Sequence, residues 1–120
     1  MSRHTCRGDL IDIDWADRKL AKLTAADAGG RKRFGEPRWT VLKRRLKVLE
    51  VAPTLADAHG VGGLHPLTGD RAGDYAMKLD GAYRLVIRPD HNPVPQRDSG
   101  GIDETRVTRI TVVEVVNYHD

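Results

Sequence analysis

The sequence predicts an α+β fold, two N-terminal helices packed on a small antiparallel sheet. Three patterns lead there. Apolar residues recur at spacings of three and four between Trp39 and Leu49, alternate from Tyr75 to Ile87, and crowd together from Val107 to Val116. The helical patterns come first and the strand patterns follow without interleaving, which fits an α+β order better than a parallel α/β one.

Leu10, Ile11 and Ile13 open the chain as a short strand or as residues packed on the body. Asp14 or Asp17 is placed to cap a first helix through Lys19, Leu20 and Leu23, with Gly29-Gly30 as its stop. The second helix starts near Pro37, whose fixed φ suits a first turn, and buries the stripe Trp39, Leu42, Leu46 and Leu49. Pro53 closes it, and Thr54 caps a short turn through Leu55 and Ala58. Gly60, Gly62 and Gly63 mark a loop, and Leu64 to Gly73 is turn-rich.

Two strands follow around Asp80-Gly81, and their register is decidable. A two-residue loop pairs Leu79 with Ala82 and places Arg84 on the apolar face beside Met77. A three-residue loop, Asp80 to Ala82, pairs Leu79 with Tyr83 and Met77 with Leu85. The large apolar side chains then share one face, and Lys78, Arg84 and Arg88 share the other. A one-residue slip would reverse every side chain, so the second register is preferred. Pro89 to Arg106, with three prolines and Gly100-Gly101, reads as a long mobile excursion. Val107 to Val116 reads as a central strand covered on both sides near its end.

With 120 residues, the chain is expected to form one domain, 1–120, with a single modest core. It is 39% hydrophobic and 31% charged, a globular rather than a disordered composition. One cysteine, Cys6, allows no internal disulfide, which fits a reducing cytoplasm. No stretch approaches the roughly 18 apolar residues of a membrane helix, and no apolar signal segment opens the chain. The net charge of +3 is uneven: Arg31, Lys32, Arg33, Arg38, Lys43, Arg44, Arg45 and Lys47 face one acid, Glu36, across that span. Such a cluster suits phosphates or an acidic protein surface, or is simply a solvated helix face. No His, Cys, Asp or Glu set has metal-ligand spacing, and no metal or other cofactor is expected.

Leu64-His65-Pro66-Leu67-Thr68-Gly69-Asp70-Arg71-Ala72-Gly73 resembles the L-H-P-L-K-G-D-R-x-G motif of HigB toxins. The aromatic-Arg pair after the turn, Tyr83-Arg84, and the ending Asn117-Tyr118-His119 are similar to that family's as well. The resemblance implies a RelE-like fold and a ribosome-dependent endoribonuclease of a type II toxin–antitoxin system, acting on mRNA and inhibited by a helix-turn-helix antitoxin of the HigA type. Thr68 stands where the family carries Lys, and Asn117 where it carries an acid. Asparagine still orients a neighbour by hydrogen bonding but supplies no charge.

RNA cleavage by 2′-OH attack needs a base, an acid for the leaving 5′-oxygen, and positive charge on the phosphate. By motif position, His65 and His119 are the candidates for proton transfer, since imidazole titrates near neutral pH. Tyr118 is the candidate for positioning or stacking on a base, or for assisting proton transfer. Arg71 and Arg84 are the candidates for holding the phosphate. Arg38, Lys43, Arg44, Arg45, Lys47, Lys78 and Arg88 are the candidate RNA- and ribosome-binding residues. Each has an ordinary structural role as its rival: His65 as a hydrogen-bonded loop residue, His119 as an idle chain end, Arg71 paired with Asp70 or Asp74, and Tyr118 as a core residue. His4, His59 and His91 read as surface residues. Two rival functions stand beside nuclease activity: a ParE-like toxin that blocks DNA gyrase by binding, and a non-catalytic RNA- or antitoxin-binding relic.

Overall fold

A computed structural model describes residues 10–58 and 61–117 of the chain. Cys6, His4, His59, Tyr118 and His119 lie outside the described residues. Strand β1 (Asp12–Trp15) leads into helices α1 (Arg18–Thr24), α2 (Asp27–Phe34) and α3 (Glu36–Val51), and then into β2 (His65–Pro66), β3 (Tyr75–Lys78), β4 (Tyr83–Pro89) and β5 (Arg109–Asn117). The strands form one sheet in the order β1-β5-β4-β3-β2. All pairs are antiparallel except β1 with β5, which is parallel. The α+β layout is the expected one: of the two readings of Leu10 to Ile13 the short strand forms, as β1, while β2 falls in the segment read as turn-rich and three helices stand in place of two.

The extra helix comes from Gly29-Gly30, which were expected to stop a helix and instead lie inside α2. They are there because the packing leaves no room for a methyl group. A Cβ on Gly30 would lie 2.4 Å from the Trp39 ring, and one on Gly29 would lie 2.6 Å from the Leu23 carbonyl oxygen. Helix α1 ends earlier, at Thr24, with Ala25 as its C-cap. Of the two candidate caps it is Asp17 that starts α1, accepting from the backbone N–H groups of Lys19 and Leu20.

Helix α3 has Pro37 in its first turn and buries Trp39, Leu42 and Leu49, with Leu46 half-buried. It stops before Pro53, and the Asp57 carboxylate then accepts from the Thr54 N–H and hydroxyl. The helices cover one sheet face, where Tyr75, Met77, Leu85, Ile87, Ile110 and Val112 complete a single hydrophobic cluster.

The β3–β4 hairpin adopts the three-residue loop. Met77 pairs with Leu85, and the Leu79 N–H donates to Tyr83 O at 3.0 Å. Strand β5 departs from expectation. Its register shifts opposite Val86/Ile87, so Val112 and Val115 both face the core side while Val113 is the extra residue. The doubly apolar pattern therefore records a bulge rather than a strand buried on both faces; Val113, Val115 and Val116 are half-buried.

The 89–106 excursion is folded onto the body rather than detached from it. Gln96 bridges to Ile102, Asp103 N donates to Pro95 O, and Ile102 packs on the core. The Tyr75 hydroxyl, at the end of a buried ring, donates to Glu104 at 2.8 Å. Burial pushes the Tyr75 phenol well above its ordinary value, and the Glu104 carboxylate adds to the shift. His91, read as a surface residue, is half-buried and accepts from Thr108 N at 3.1 Å.

Candidate functional site

The sheet face turned away from the helices is polar, and its registers order it into rows. His65 on β2 stands opposite Ala76 on β3, Ala76 opposite Val86 on β4, and Val86 opposite Glu114 on β5. Ala76 and Val86 are fully buried, so the two titratable residues flank a low apolar floor. One row toward the hairpin lie Lys78, Arg84 and Val116; on the other side Arg88 faces Thr111. The basic face expected from the register is present, with an acid and a histidine on it.

The turn-rich segment Leu67 to Asp74 shapes this face. Leu67 N donates to Asp74 O, closing the segment, while Asp74 N donates to Arg71 O. Gly69 (φ +64°) and Gly73 (φ +102°) occupy left-handed backbone that side chains disfavour, which explains the spacing of the two glycines around Asp70-Arg71. Thr68 accepts from Arg71 N through its carbonyl and is exposed.

The segment delivers Arg71 to Glu114, and the two side chains form an ion pair. Neither Asp70 nor Asp74, its expected partners, takes it. Asp74 is buried and instead holds Arg88, with Nε to Oδ1 at 2.7 Å and Nη2 to Oδ2 at 3.2 Å. These hydrogen bonds to Asp74 raise the Arg88 guanidinium above its ordinary value. His65 is exposed, and its Nδ1 donates to Gly63 O at 2.8 Å. In the neutral ring that bond leaves Nε2 unprotonated and able to accept a proton. Arg84 donates from Nη1 to Tyr83 O at 2.9 Å and to Gly81 O at 3.1 Å, so the hairpin turn holds one end of its guanidinium.

The candidates on α3 are mostly committed within the protein. Arg38 lies 3.7 Å from the Tyr83 ring centre, donates to Phe34 O and pairs with Asp80, tying α3 to the hairpin. Lys43 bonds Asp27 at 3.0 Å, and Trp39 Nε1 donates to the same oxygen. The Lys43 bond, and then the Trp39 bond, hold the Asp27 carboxyl below its usual value. Arg45 donates to Lys78 O at 3.0 Å, and Lys47 stands 3.8 Å from Glu50. Arg44 is exposed and has no carboxylate partner among the described residues.

The fold thus brings His65, Arg71, Arg84, Lys78 and Arg88 to one sheet face. Strand β5 of that sheet ends at Asn117, paired with Tyr83 and immediately preceding Tyr118-His119 in the chain. Arg38, Lys43, Arg44 and Lys47 belong to α3. Glu114 was missed from sequence as an acid of the site, and Asp74, named only as a rival partner for Arg71, was not expected to hold Arg88. Glu114 had a signal, since it is the one acid between Val107 and Val116.

Among the described residues, no three His, Cys, Asp or Glu side chains converge as a metal site requires, and no helix is long and apolar enough to cross a membrane. No family model and no curated protein match the chain. Among solved structures, it is similar to a YoeB/ParE toxin from Agrobacterium tumefaciens at 17% identity and a TM-score of 0.46, covering 91% of this chain and 100% of that one.

Proposed function

We propose that the chain is the toxin of a type II toxin–antitoxin pair, a cytoplasmic endoribonuclease that cuts mRNA in the ribosomal decoding site and is restrained by a HigA-like helix-turn-helix antitoxin. One observation supports it above the rest. The turn 67–74 and the sheet register bring His65, Arg71 and Arg84, three residues of the HigB-like pattern, to one polar face.

In this reading, Nε2 of His65 takes the proton of the 2′-OH as that oxygen attacks the adjacent phosphorus. The bond from phosphorus to the 5′-oxygen breaks, and His119 protonates the leaving oxygen. The products are a 2′,3′-cyclic phosphate and a free 5′-hydroxyl. Arg71 and Arg84 take up the charge that builds on the phosphate, and Glu114 keeps the Arg71 guanidinium over the face until RNA arrives. Tyr118 positions a base. Lys78 and Arg88 grip phosphates beside the cut, and Arg44 with the other α3 cations meets ribosomal RNA through salt-sensitive contacts.

The test is expression in cells with mapping of mRNA ends, alongside His119→Ala and Arg84→Ala. In-frame cuts in translated messages, lost in both variants, are expected. Growth arrest with intact mRNA and damaged DNA would overturn the nuclease reading in favour of gyrase binding, and absence of toxicity would overturn both.

A further inference from the structure

Alongside the polar sheet face, the 70–74 turn, the end of β4 and the 91–102 segment enclose an open cleft of about 720 Å³. That lies within the roughly 300–1,000 Å³ of clefts that hold small ligands. Arg71 and Arg88 both line it, so the cleft continues from the face where the proposed cut takes place.

Arg88 is the informative residue. Its side chain is 58% exposed, yet it is held on one edge by a carboxylate that is 6% exposed. A guanidinium fixed in this way has already lost its rotamer freedom before a ligand arrives, and less affinity is lost on binding. Nη1 has no protein partner among the described residues, which leaves part of the fork for phosphate oxygens. Across the cleft, Val94 and Ile102 offer apolar surface, and Ile102 is itself anchored on the core. Asp70 and Asp90 also line it. Their charge argues against a trough for a run of phosphates, while carboxylate oxygens accept well from the exocyclic amino groups of bases. One phosphate fork, an apolar wall and a few acceptors together match a single nucleotide.

We propose that this cleft is a nucleotide subsite for single-stranded RNA, in which Arg88, braced by Asp74, holds the phosphate next to the one on Arg71 while the attached base rests against Val94 and Ile102. The subsite rests on the nuclease reading above and extends it to a nucleotide beside the cut. Asp74 acts here as a positioning residue.

The test uses a short single-stranded 2′-O-methyl oligoribonucleotide, which lacks the attacking hydroxyl and cannot be cut. Its affinity for the full chain is measured across a salt series, for the wild type, Arg88→Lys, and the double variant Arg88→Gln/Asp74→Asn. The double variant replaces the ion pair by neutral amides and leaves no buried charge unpaired. Loss of one phosphate contact on a single strand should flatten the plot of log affinity against log salt by about 0.7. Affinity should fall roughly tenfold in the double variant, the equivalent of one charge-assisted hydrogen bond. Arg88→Lys should bind more weakly than wild type but keep the wild-type slope, because its charge remains. A double variant that melts as a folded protein and binds with wild-type affinity and slope overturns the subsite. So does a wild type that fails to bind the oligonucleotide at low salt. Cutting of mRNA in cells is scored separately, so the nuclease reading stands or falls by its own result.

Discussion

Replacing Tyr75 by Phe removes a single oxygen from the core and leaves the ring to fill the same space. That oxygen links two parts of the fold that the chain separates by almost thirty positions, because the hydroxyl donates to Glu104, just beyond the 91–102 segment that walls the cleft. A hydrogen bond to a charged acceptor contributes about 1.5–3 kcal/mol net. Glu104 is half-buried and water can replace part of the lost partner, so we take the lower end, about 1.5 kcal/mol. At roughly 4 °C per kcal/mol for a domain of this size, Tyr75→Phe should melt about 6 °C below wild type at pH 7. The pH dependence follows from the raised phenol. The folded state keeps this proton at pH values where the unfolded chain releases it, so the contribution is complete below the ordinary tyrosine value near 10. It is lost progressively as pH rises above that value, and Tyr75→Phe cannot lose it. Thermal melts at pH 7, 9.5 and 11 should show the gap between the two proteins narrowing at the highest pH. A variant melting within a degree of wild type at pH 7, or a gap that does not change with pH, would refute the coupling.

Three further outcomes are expected. Gly30→Ala should be destabilising by about 2 kcal/mol in a denaturant titration, because an overpacking cost of roughly 3 kcal/mol against the Trp39 ring exceeds the roughly 1 kcal/mol gained in helix propensity; greater stability would show that the ring yields freely. Asp17→Ala should lose about 1 kcal/mol through the α1 cap, and Asp17→Asn should lose little, as measured by thermal melting. His65→Ala should melt within about 0.5 kcal/mol of wild type, since the side chain is exposed, while mRNA cutting in cells disappears; preserved cutting would remove His65 from the chemistry.

Much of the fold was legible because it is written in local periods. The α3 stripe, the proline near its start and the alternation through Tyr75 to Ile87 each need only neighbours within a few residues. The hairpin register was legible for the same reason, since a slip would have buried Arg84. Gly29-Gly30 misled because glycine has two uses, ending a helix or admitting a close neighbour, and the neighbour here is the Trp39 ring from the next helix. The apolar crowding of β5 misled because a bulge shifts the alternation by one residue. The 89–106 segment looked unanchored because its ties, Ile102 to the core and Glu104 to Tyr75, involve residues distant in the chain.

The candidate site divides along the same line. The sequence by itself determined that Arg84 faces outward with Lys78 and Arg88, a consequence of the period of two along a strand. His65 and Arg71 were singled out only by their place in the HigB-like motif, and the structure decided that they lie on that same face. Only the tertiary structure decided the partners of the arginines. Glu114 reaches Arg71 across 43 positions, and Asp74 takes Arg88 rather than its near neighbour Arg71. It also placed β1 beside β5 and turned a polar excursion into the wall of a cleft. Pairings of this kind depend on which surfaces the closed core leaves adjacent, and short-range patterns hold no record of that.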